Sequence, residues 1–204
     1  MENEEQKPIE SIPPLKQPEK KSSSTLKSIL KEIFIFAIIA FGIVLPFRMF
    51  VAEPYIVYGA SMDPTFKTGD YLIVDKLSFE LGEPQRNSVV VFKFPNDTSK
   101  NFIKRIIGLP GDTIIMKGNE VKIINKDNPE GFIIDQSYVV HTSPGDFEQT
   151  LGPDEYFAMG DNRAESYDSR GWGVLPRKDM LGRPILRLFP ISKIGIMPGS
   201  VDTK

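Results

Sequence analysis

The sequence predicts a mostly β protein, built as a sandwich or as a coiled, barrel-like antiparallel sheet and preceded by one N-terminal transmembrane helix. Three observations support this fold class. Residues 33–47 form an apolar run that, extended to residue 51, approaches the ~20 residues a membrane-spanning helix needs. After residue 52 the apolar residues recur at the period of strands, and no long amphipathic helix follows. The chain holds 16 glycines and 17 prolines, which favour turns and short strands.

The N-terminal part of the chain combines a polar tail with this apolar run. Residues 1–28 contain no aromatic residue, so they bury too little apolar surface to offset the entropy lost on ordering, and we expect them to be disordered. Residues 29–51 are expected to form a transmembrane signal anchor. A cleaved signal peptide is the alternative, but Phe50 stands where such a peptide needs a small residue, and the preceding tail is long.

Positive charge before the apolar run sets the expected orientation. Lysines lie in the tail and at the start of the run, at Lys16, Lys20, Lys21, Lys27 and Lys31. Because positively charged flanks stay in the cytoplasm, we expect the N-terminus there and residues 52–204 on the extracytoplasmic side. The chain is therefore expected to be a single-pass protein of the plasma membrane, with the lipid bilayer as one partner.

Composition excludes several classes of function. The 204 residues carry a net charge of −2, so the basic surface that nucleic-acid binding needs is missing and no nucleic-acid partner is expected. The absence of cysteine excludes disulfides and thiol nucleophiles. His141 is the only histidine, so a multi-histidine metal site is impossible, and neither a metal nor another cofactor is expected. His141 lies in a polar stretch typical of a loop, although a serine–histidine–aspartate triad would have to use it.

The strands are predicted from short runs of β-branched and aromatic residues in 52–204. Such runs occur at Tyr55–Tyr58, Tyr71–Val74 and Ser88–Phe92. Lys117–Glu120 contains glycine and asparagine between two further apolar runs, which predicts a β-hairpin. This hairpin is expected to belong to a subdomain or insertion at about residues 113–150.

A first candidate for chemistry is the segment around Ser61. A predicted strand ends before Gly59, and Pro64 follows the serine. Glycine permits close approach of the backbone and proline fixes the exit of the turn, so Ser61 is expected to be exposed, with its N–H free to meet a bound carbonyl. A plain turn serine would have the same pattern.

A second candidate is Lys104. Alternation along a strand places Lys104 on one face with Phe102 and Ile106. Apolar neighbours desolvate an ammonium group and lower its pKa, so Lys104 is able to become a neutral base near pH 8. The alternative is a surface lysine whose aliphatic stem covers apolar atoms.

A third candidate is the polar segment that follows an apolar strand within residues 156–173. Its charged side chains are positioned to form ion pairs, and a serine, either Ser166 or Ser169, to orient a neighbouring amine. A solvated loop with weak surface ion pairs is the alternative. The charged residues expected to pair are Asp161, Arg163, Asp168 and Arg170.

Together these segments resemble the type I signal peptidases. The resemblance rests on Gly-x-Ser-Met-x-Pro-Thr at 59–65, Gly-Asp-Tyr at 69–71, Ile-Lys-Arg-x-x-Gly-Leu-Pro-Gly-Asp at 103–112, and Met-Gly-Asp-Asn-Arg followed by Ser-x-Asp-Ser-Arg within 159–170. The motifs occur in the family's order, and the resemblance extends from about residue 48 to 176. The family has a coiled β-sheet catalytic domain behind a membrane anchor, which matches the fold class predicted above.

The resemblance implies a reaction and roles for particular residues. Family members are serine endopeptidases that remove signal peptides from secreted precursors after Ala-x-Ala sites. The family's nucleophile corresponds to Ser61, its lysine base to Lys104, and the serine that hydrogen-bonds the lysine to Ser166. Three residues correspond to the ion-pair scaffold behind the site, namely Arg105, Asp168 and Arg170. Asp161 is expected to support the loop.

The resemblance also implies an oxyanion site and a substrate pocket. The Ser61 backbone N–H is expected to bind the oxyanion, but Gly59 replaces a serine that supplies a second donor in some family members. Precursor side chains are expected to enter shallow pockets between bulky walls. The expected wall residues, which would equally suit a core, are Tyr55, Val57, Tyr58, Met62, Phe66, Phe102 and Ile103.

Other families share fragments of these patterns. Self-cleaving repressors use serine–lysine chemistry, but they are cytosolic and carry a DNA-binding domain, whereas this sequence has an apolar anchor and no helix-turn-helix pattern. Ser24–Lys27, Ser28–Lys31 and Lys67–Gly69 match parts of the penicillin-binding signature, but no Ser-Asp-Asn follows. One histidine is too few for the usual metalloprotease sites. A membrane-tethered β domain that binds a partner without catalysis remains the non-enzymatic alternative.

Overall fold

Residues 24–44 and 51–201 are described by the computed structural model of the chain, which divides after Val44 into two units. The first unit contains helix α1, Ser24–Ile39, and a π-helical segment, Ala40–Val44. Neither proline nor glycine occurs in residues 24–41, so no residue there opposes a helix. Residues 24–28, expected to belong to a disordered tail, are helical for this reason.

Many apolar side chains of residues 29–44 are exposed, among them Phe36 and Phe41 at 70% and 72%. In the parts of the chain that are described, no helix combines the length and the apolar character needed to cross a membrane. The rest of the expected tail, residues 1–23, and residues 45–50 of the expected anchor lie outside the described residues. The anchor at 29–51 therefore remains a prediction.

Antiparallel strands dominate the second unit, so the prediction of a mostly β protein is confirmed. The strands are β1 (Ala52–Ile56), β2 (Tyr71–Asp75), β3 (Val89–Phe94), β4 (Asp97–Gly108), β5 (Thr113–Lys117), β6 (Glu120–Ile124), β7 (Phe132–Ile133), β8 (Phe147–Thr150), β9 (Glu155–Met159), β10 (Leu175–Pro176), β11 (Met180–Phe189) and β12 (Gly195–Ile196). The short helices are α2 (Leu77–Leu81) and α3 (Ser169–Trp172), with 3₁₀ turns at Arg177–Asp179 and Ile191–Lys193.

The larger sheet has eight strands in the order β1-β2-β11-β3-β4-β9-β10, with β12 paired to β11. Among the described residues this path is open, with β1 and β10 at its ends, so the expected barrel-like closure is not observed. Strand β10 has two residues, one of them Pro176, which lacks a backbone donor, and the pairing stops there. Register shifts between β11 and β2 bend the sheet.

The smaller sheet has four strands in the order β7-β6-β5-β8 and occupies the region expected to hold a subdomain at 113–150. Lys117 pairs with Glu120 across a tight turn, where the hairpin is predicted. Gly118 has φ of 59° in this turn, a backbone conformation that glycine adopts without strain. The sheet packs its aliphatic side chains against Ile107, Phe157 and Met159 of the larger sheet.

Strand β4 is the element on which the candidate site is built. It lies between β3 and β9, with Lys104 opposite Val90 and Arg105 opposite Met159. Because neighbouring side chains on a strand point to opposite faces, Lys104 and Arg105 reach different sides of the sheet. Fully buried Ile106 follows them, so this part of β4 is at the centre of the unit.

Candidate active site

Ser61 lies in a turn that follows β1. The chain leaves β1 through Val57, whose N–H donates to the Asp70 carbonyl at 3.0 Å. Gly59 then turns the backbone with φ of 92°, a conformation that disfavours any other residue. The Thr68 hydroxyl holds this turn, because it accepts from the Gly59 N–H at 2.9 Å and donates to the Gly59 carbonyl at 3.1 Å. The nucleophile candidate is thereby presented from a fixed bend.

Lys104 reaches Ser61 from the middle of β4. The Lys104 Nζ atom lies 2.7 Å from Ser61 Oγ and 3.1 Å from the Ile103 carbonyl oxygen. The lysine side chain is only 4% exposed, and its nitrogen lies 5.2 Å from the centre of the Phe102 ring. The predicted face of the strand thus brings an amine, an aromatic ring and a hydroxyl into contact.

Burial changes the protonation of this amine. Desolvation lowers the Lys104 pKa from 10.5 to about 8, although the charges of Asp168 and, to a lesser extent, Asp161 oppose the shift. At pH 7 a pKa of about 8 leaves about one amine in ten neutral, whereas an unshifted lysine is neutral in about one molecule in three thousand. A neutral amine at hydrogen-bond distance is able to accept the Ser61 proton.

Asp161 forms a buried ion pair with Arg105 behind the amine. The pair is bidentate, with Arg105 Nε 2.8 Å from Asp161 Oδ1 and Nη2 2.6 Å from Oδ2. Arg105 Nη1 donates to the carbonyls of Asn87 and Gly199, both at 2.7 Å. Arg105 and Asp161 are 1% and 0% exposed, so this network satisfies charges that water cannot reach.

Asp168 forms a second, separate ion pair with Arg170. Arg170 Nε and Nη2 donate to the two Asp168 oxygens at 2.8 and 2.9 Å, and the Gly160 N–H donates to Asp168 Oδ2 at 3.0 Å. Burial raises the Asp168 pKa, but the hydrogen bond and charge of Arg170 outweigh it and hold the pKa below its usual value. The expected single scaffold of Arg105, Asp168 and Arg170 is therefore two pairs, with Asp161 as the partner of Arg105.

Gly160 lies close to the turn at residues 59–66 that carries Ser61. A Cβ atom at this position would lie 2.4 Å from the Ser61 carbonyl oxygen and 2.3 Å from Ser166 Oγ. The Asn162 N–H donates to the same Ser61 carbonyl at 3.1 Å. The loop after β9 therefore touches the nucleophile turn directly, and only glycine leaves room for that approach.

Ser166 does not make the hydrogen bond expected from the family resemblance. Lys104 Nζ bonds to Ser61 Oγ and the Ile103 carbonyl instead. Ser166 Oγ is buried and, among the described residues, meets no partner with hydrogen-bond geometry, although it is near enough to Asp168 to help lower the pKa of that carboxyl. Its role as the residue that orients the amine therefore remains a proposal.

The Ser61 backbone N–H is available for an oxyanion. Within residues 51–201 no acceptor is found for it, whereas the Asp63 N–H donates to the Ala60 carbonyl at 3.0 Å. Gly59 has open space around its missing side chain, but its φ of 92° disfavours the serine found there in some family members.

A cavity of about 480 Å³ opens beside the Ser61–Lys104 pair. Ser61 and Lys104 line it, and so do five of the expected pocket residues, namely Tyr55, Val57, Tyr58, Phe102 and Ile103. Met62 and Phe66 do not line the cavity, because they are 1% and 0% exposed and pack against Leu72 in the core beneath the turn.

Several residues of the site were not singled out from the sequence. Asn162 and Thr65 both lie inside the family motifs, so the sequence marked their positions without indicating what either residue does. Asn87 and Gly199 contribute only carbonyl oxygens to Arg105, and a backbone carbonyl leaves no mark on residue identity. His141 is exposed in a loop and does not line the cavity.

Comparison with known proteins places this arrangement among peptidases. The profile of the family described as "Signal peptidase, peptidase S26" matches residues 30–189. A "Probable signal peptidase I-2" of Synechocystis sp. is 36% identical, covering 92% of this chain and 84% of the relative. A "Signal peptidase I" of Leptolyngbya laminosa is 34% identical and covers 96% of each chain. A solved signal peptidase I from Enterococcus faecalis is 27% identical and covers 50% of this chain and 97% of that chain, with a TM-score of 0.42.

Proposed function

The chain belongs to the type I signal peptidases of peptidase family S26, and on that premise we propose that Ser61 is its nucleophile and Lys104 its general base. Signal peptide removal from precursor proteins is the activity that this family membership supports. The observation that supports the residue assignment is the 2.7 Å contact between Ser61 Oγ and a lysine nitrogen that is 4% exposed. No histidine is needed for this chemistry, which agrees with the exposed position of His141.

The proposed reaction proceeds through an acyl-enzyme. Ser61 Oγ attacks the scissile carbonyl carbon while neutral Lys104 takes the hydroxyl proton. The resulting ammonium then donates that proton to the departing amide nitrogen, which leaves as the amine of the mature protein. Neutral Lys104 next takes a proton from water, the hydroxide attacks the ester carbonyl, and Ser61 regains the proton as the signal peptide's carboxylate leaves.

Charges around the pair suit the states that this sequence requires. Desolvation favours the neutral amine before attack, and the charges of Asp168 and Asp161 stabilise the ammonium afterwards. The free Ser61 N–H is placed in the same turn as the nucleophile, where it is able to donate to the oxyanion of the tetrahedral intermediate. The second donor expected in some family members has no side-chain counterpart at Gly59.

The cavity supports specificity for small side chains near the cut. Its walls include Tyr55, Val57 and Phe102, which are bulky and apolar, and its floor holds the reacting hydroxyl. We assign the alanine side chains of an Ala-x-Ala site to this cavity, since larger groups would overlap these walls and displace the carbonyl from Ser61. Precursors with signal peptides are accordingly the proposed substrates.

A membrane location is part of the proposal. The exposed apolar side chains of residues 29–44 and the run that continues to residue 51 support an anchor at 29–51. The lysine-rich tail supports a cytoplasmic N-terminus and an extracytoplasmic catalytic domain. Protease added to intact protoplasts should then digest residues 52–204; complete protection of that domain would contradict the orientation.

Substitution of Ser61 tests the proposed function. With an Ala-x-Ala precursor and a chelator present, Ser61→Ala should lower the initial cleavage rate at least ~10³-fold, because no nucleophile remains. Ser137→Ala is a matched control, since Ser137 hydrogen-bonds only to nearby Asp135 on an exposed loop. Wild-type cleavage by Ser61→Ala would exclude Ser61 as nucleophile, and a folded wild-type protein without any cleavage would favour a non-enzymatic binding domain.

A further inference from the structure

Thr65 lies at the far end of the turn that carries Ser61. The turn is one helical coil long, because the Phe66 N–H donates to the Met62 carbonyl at 2.8 Å. Met62 and Phe66 anchor its inner side in the core. A displacement of Thr65 is therefore transmitted through a short, closed piece of backbone to Ser61.

Two strong hydrogen bonds hold Thr65, one through its side chain and one through its backbone. The Thr65 hydroxyl donates to Asp161 Oδ2 at 2.5 Å. The Thr65 carbonyl accepts from Arg187 Nη2 at 2.6 Å. Both partners are charged, and charge-assisted hydrogen bonds are shorter and stronger than neutral ones.

The two partners belong to different buried ion pairs. Asp161 pairs with Arg105 of β4, as described above. Arg187 of β11 is 7% exposed and lies 3.5 Å from Asp70, which is 2% exposed and directly precedes β2. The Arg187 guanidinium also stacks over the Phe66 ring, 4.8 Å from its centre. Thr65 is thus the point where two buried pairs from separate strands meet.

The loop that holds Thr65 also holds Ser61. Asp161 accepts from the Thr65 hydroxyl, and the adjacent Asn162 donates its N–H to the Ser61 carbonyl at 3.1 Å. The nucleophile turn is therefore fastened at both ends by consecutive residues of one loop. Arg187 fixes the Thr65 end from the opposite side, so the turn has little freedom to shift.

We propose that Thr65 is a positioning residue, which holds the Ser61 hydroxyl at hydrogen-bond distance from Lys104 by joining the Asp161–Arg105 and Asp70–Arg187 pairs. This inference rests on the proposed function, because it assumes that Ser61 and Lys104 react together. Thr65 touches neither the cavity nor the amine and takes no part in proton transfer. Its contribution is the distance between two other groups.

Replacement of the hydroxyl with matched shapes tests the proposal. Thr65→Val keeps the branched shape and removes the donor, while Thr65→Ser keeps the donor. Thr65→Val should lower kcat about 10- to 100-fold, because misplacement of reacting groups by about 1 Å has effects of that size. Thr65→Ser should recover most of kcat. KM should stay unchanged, and the midpoint of the pH–rate profile should stay near 8, because the burial and the charges of Asp168 and Asp161 that set the Lys104 pKa are unchanged.

Controls separate positioning from stability. Thr150→Val removes a hydroxyl contact of 2.9 Å with Thr113 in the smaller sheet and should leave kcat unchanged. Each rate is divided by the folded fraction measured by circular dichroism at the assay temperature. If Thr65→Val does not fold, Arg187→Lys replaces it as the test variant. It keeps a charge beside Asp70 but loses the forked guanidinium, so it should also lower kcat.

Several results would overturn the proposal. A folded Thr65→Val with wild-type kcat would do so, and so would a fall in its cleavage rate no larger than the fall in its folded fraction. A Thr65→Ser variant as impaired as Thr65→Val would also do so. Wild type and Ser61→Ala run in the same assay distinguish this failure from failure of the proposed function. If Ser61→Ala is inactive and Thr65→Val is fully active, only the positioning role is wrong.

Discussion

The two sheets of the second unit differ in what they bury. The larger sheet and its loops enclose ionisable side chains, among them Lys104, Arg105, Asp161, Asp168 and Arg187. The smaller sheet buries aliphatic side chains such as Ile114, Val121 and Ile123. Burying a charge is unfavourable unless partners compensate for lost hydration, whereas burying an aliphatic side chain is favourable by itself. Burial is therefore unfavourable for the free energy of folding at the ionisable residues of the larger sheet, and favourable at the aliphatic residues of the smaller sheet.

The unfavourable free energy of burial is largest at Lys104, because the neighbours of its ammonium only partly compensate for the lost hydration. Arg105 and Asp161 satisfy each other, but the lowered pKa shows that the Lys104 ammonium is less stable in the protein than in water. At Lys104 of the larger sheet, the burial that makes the amine a usable base therefore also lowers the stability of the fold. Residues of the smaller sheet should affect stability alone.

Removal of the Lys104 amine should have the largest effect, and of opposite sign on rate and stability. Lys104→Met should lower the cleavage rate by at least ~10³-fold, because no base remains. It should also raise the free energy of unfolding by roughly 3 kcal/mol at pH 7, since the apolar side chain has no charge to desolvate. Precursor cleavage and urea unfolding measure the two effects.

The size of this stability change depends on pH. Because the folded-state pKa of about 8 lies below the ordinary value of 10.5, the wild type bears the full cost below pH 8 and none above pH 10.5. The stability gap between Lys104→Met and wild type should therefore close between those values. Lys93→Met, at an exposed position of β3, is the control and should change neither rate nor stability. A Lys104→Met variant no more stable than the wild type would contradict the unfavourable burial of the ammonium. A fully active Lys104→Met would contradict the role of Lys104 as the base.

Addition of a methyl group at Gly160 should have the next largest effect, and it should distinguish the larger sheet from the smaller one. Gly160→Ala places Cβ 2.4 Å from the Ser61 carbonyl oxygen, so the nucleophile turn must shift, and the rate should fall about 10²-fold. Gly145→Ala near β8 of the smaller sheet meets only the Met116 methyl at 3.4 Å and should leave the rate unchanged. Equal rates for the two variants, measured on folded protein, would show that close approach at Gly160 is unnecessary.

A cavity in the smaller sheet should affect stability only. Ile123→Ala removes a fully buried side chain of β6 and should lower the free energy of unfolding by about 2–4 kcal/mol, with kcat per folded molecule unchanged. Ile133→Ala on β7, where the side chain is 50% exposed, should have a much smaller effect on unfolding. A fall in kcat for folded Ile123→Ala would mean that the smaller sheet also positions the site.

Substitution of the single histidine should have the smallest effect. His141 is exposed, lies in the loop between β7 and β8, and does not line the cavity. His141→Ala should therefore keep the wild-type rate from pH 6 to pH 9. A loss of the pH dependence in this variant would transfer the role of base from Lys104 to His141.

Sequence patterns predicted the strands and the family, because both depend on local residue order. The run at 71–74 lies within β2, while those at 55–58 and 88–92 overlap β1 and β3 but leave Val57, Tyr58 and Ser88 outside the strands. The turn at 117–120 joins a hairpin, as predicted. The family was recognised from motifs of consecutive residues, and the comparisons confirm it. Alternation along β4 indicated that Lys104 and Phe102 share a face, and the structure places both beside the cavity.

Contacts between distant segments could not be predicted in this way. The sequence grouped Arg105 with Asp168 and Arg170, but β4 and β9 bring Arg105 to Asp161 instead. The segment at 59–66 was expected to expose Ser61, but Ser61 is half-buried, and Met62 and Phe66 of the same coil turn into the core. Whether a residue of one short motif lines a cavity or a core depends on tertiary packing, which local pattern does not encode.

The dependence of kcat/KM on pH tests the central claim most directly, because it reports the protonation of the free enzyme. With a neutral Lys104 as the base, kcat/KM should rise about tenfold per pH unit below the midpoint, pass through a midpoint near 8, and level off above it. The same profile should persist in His141→Ala. A flat profile between pH 6 and pH 10, or a pH dependence that disappears in His141→Ala, would contradict a desolvated lysine base.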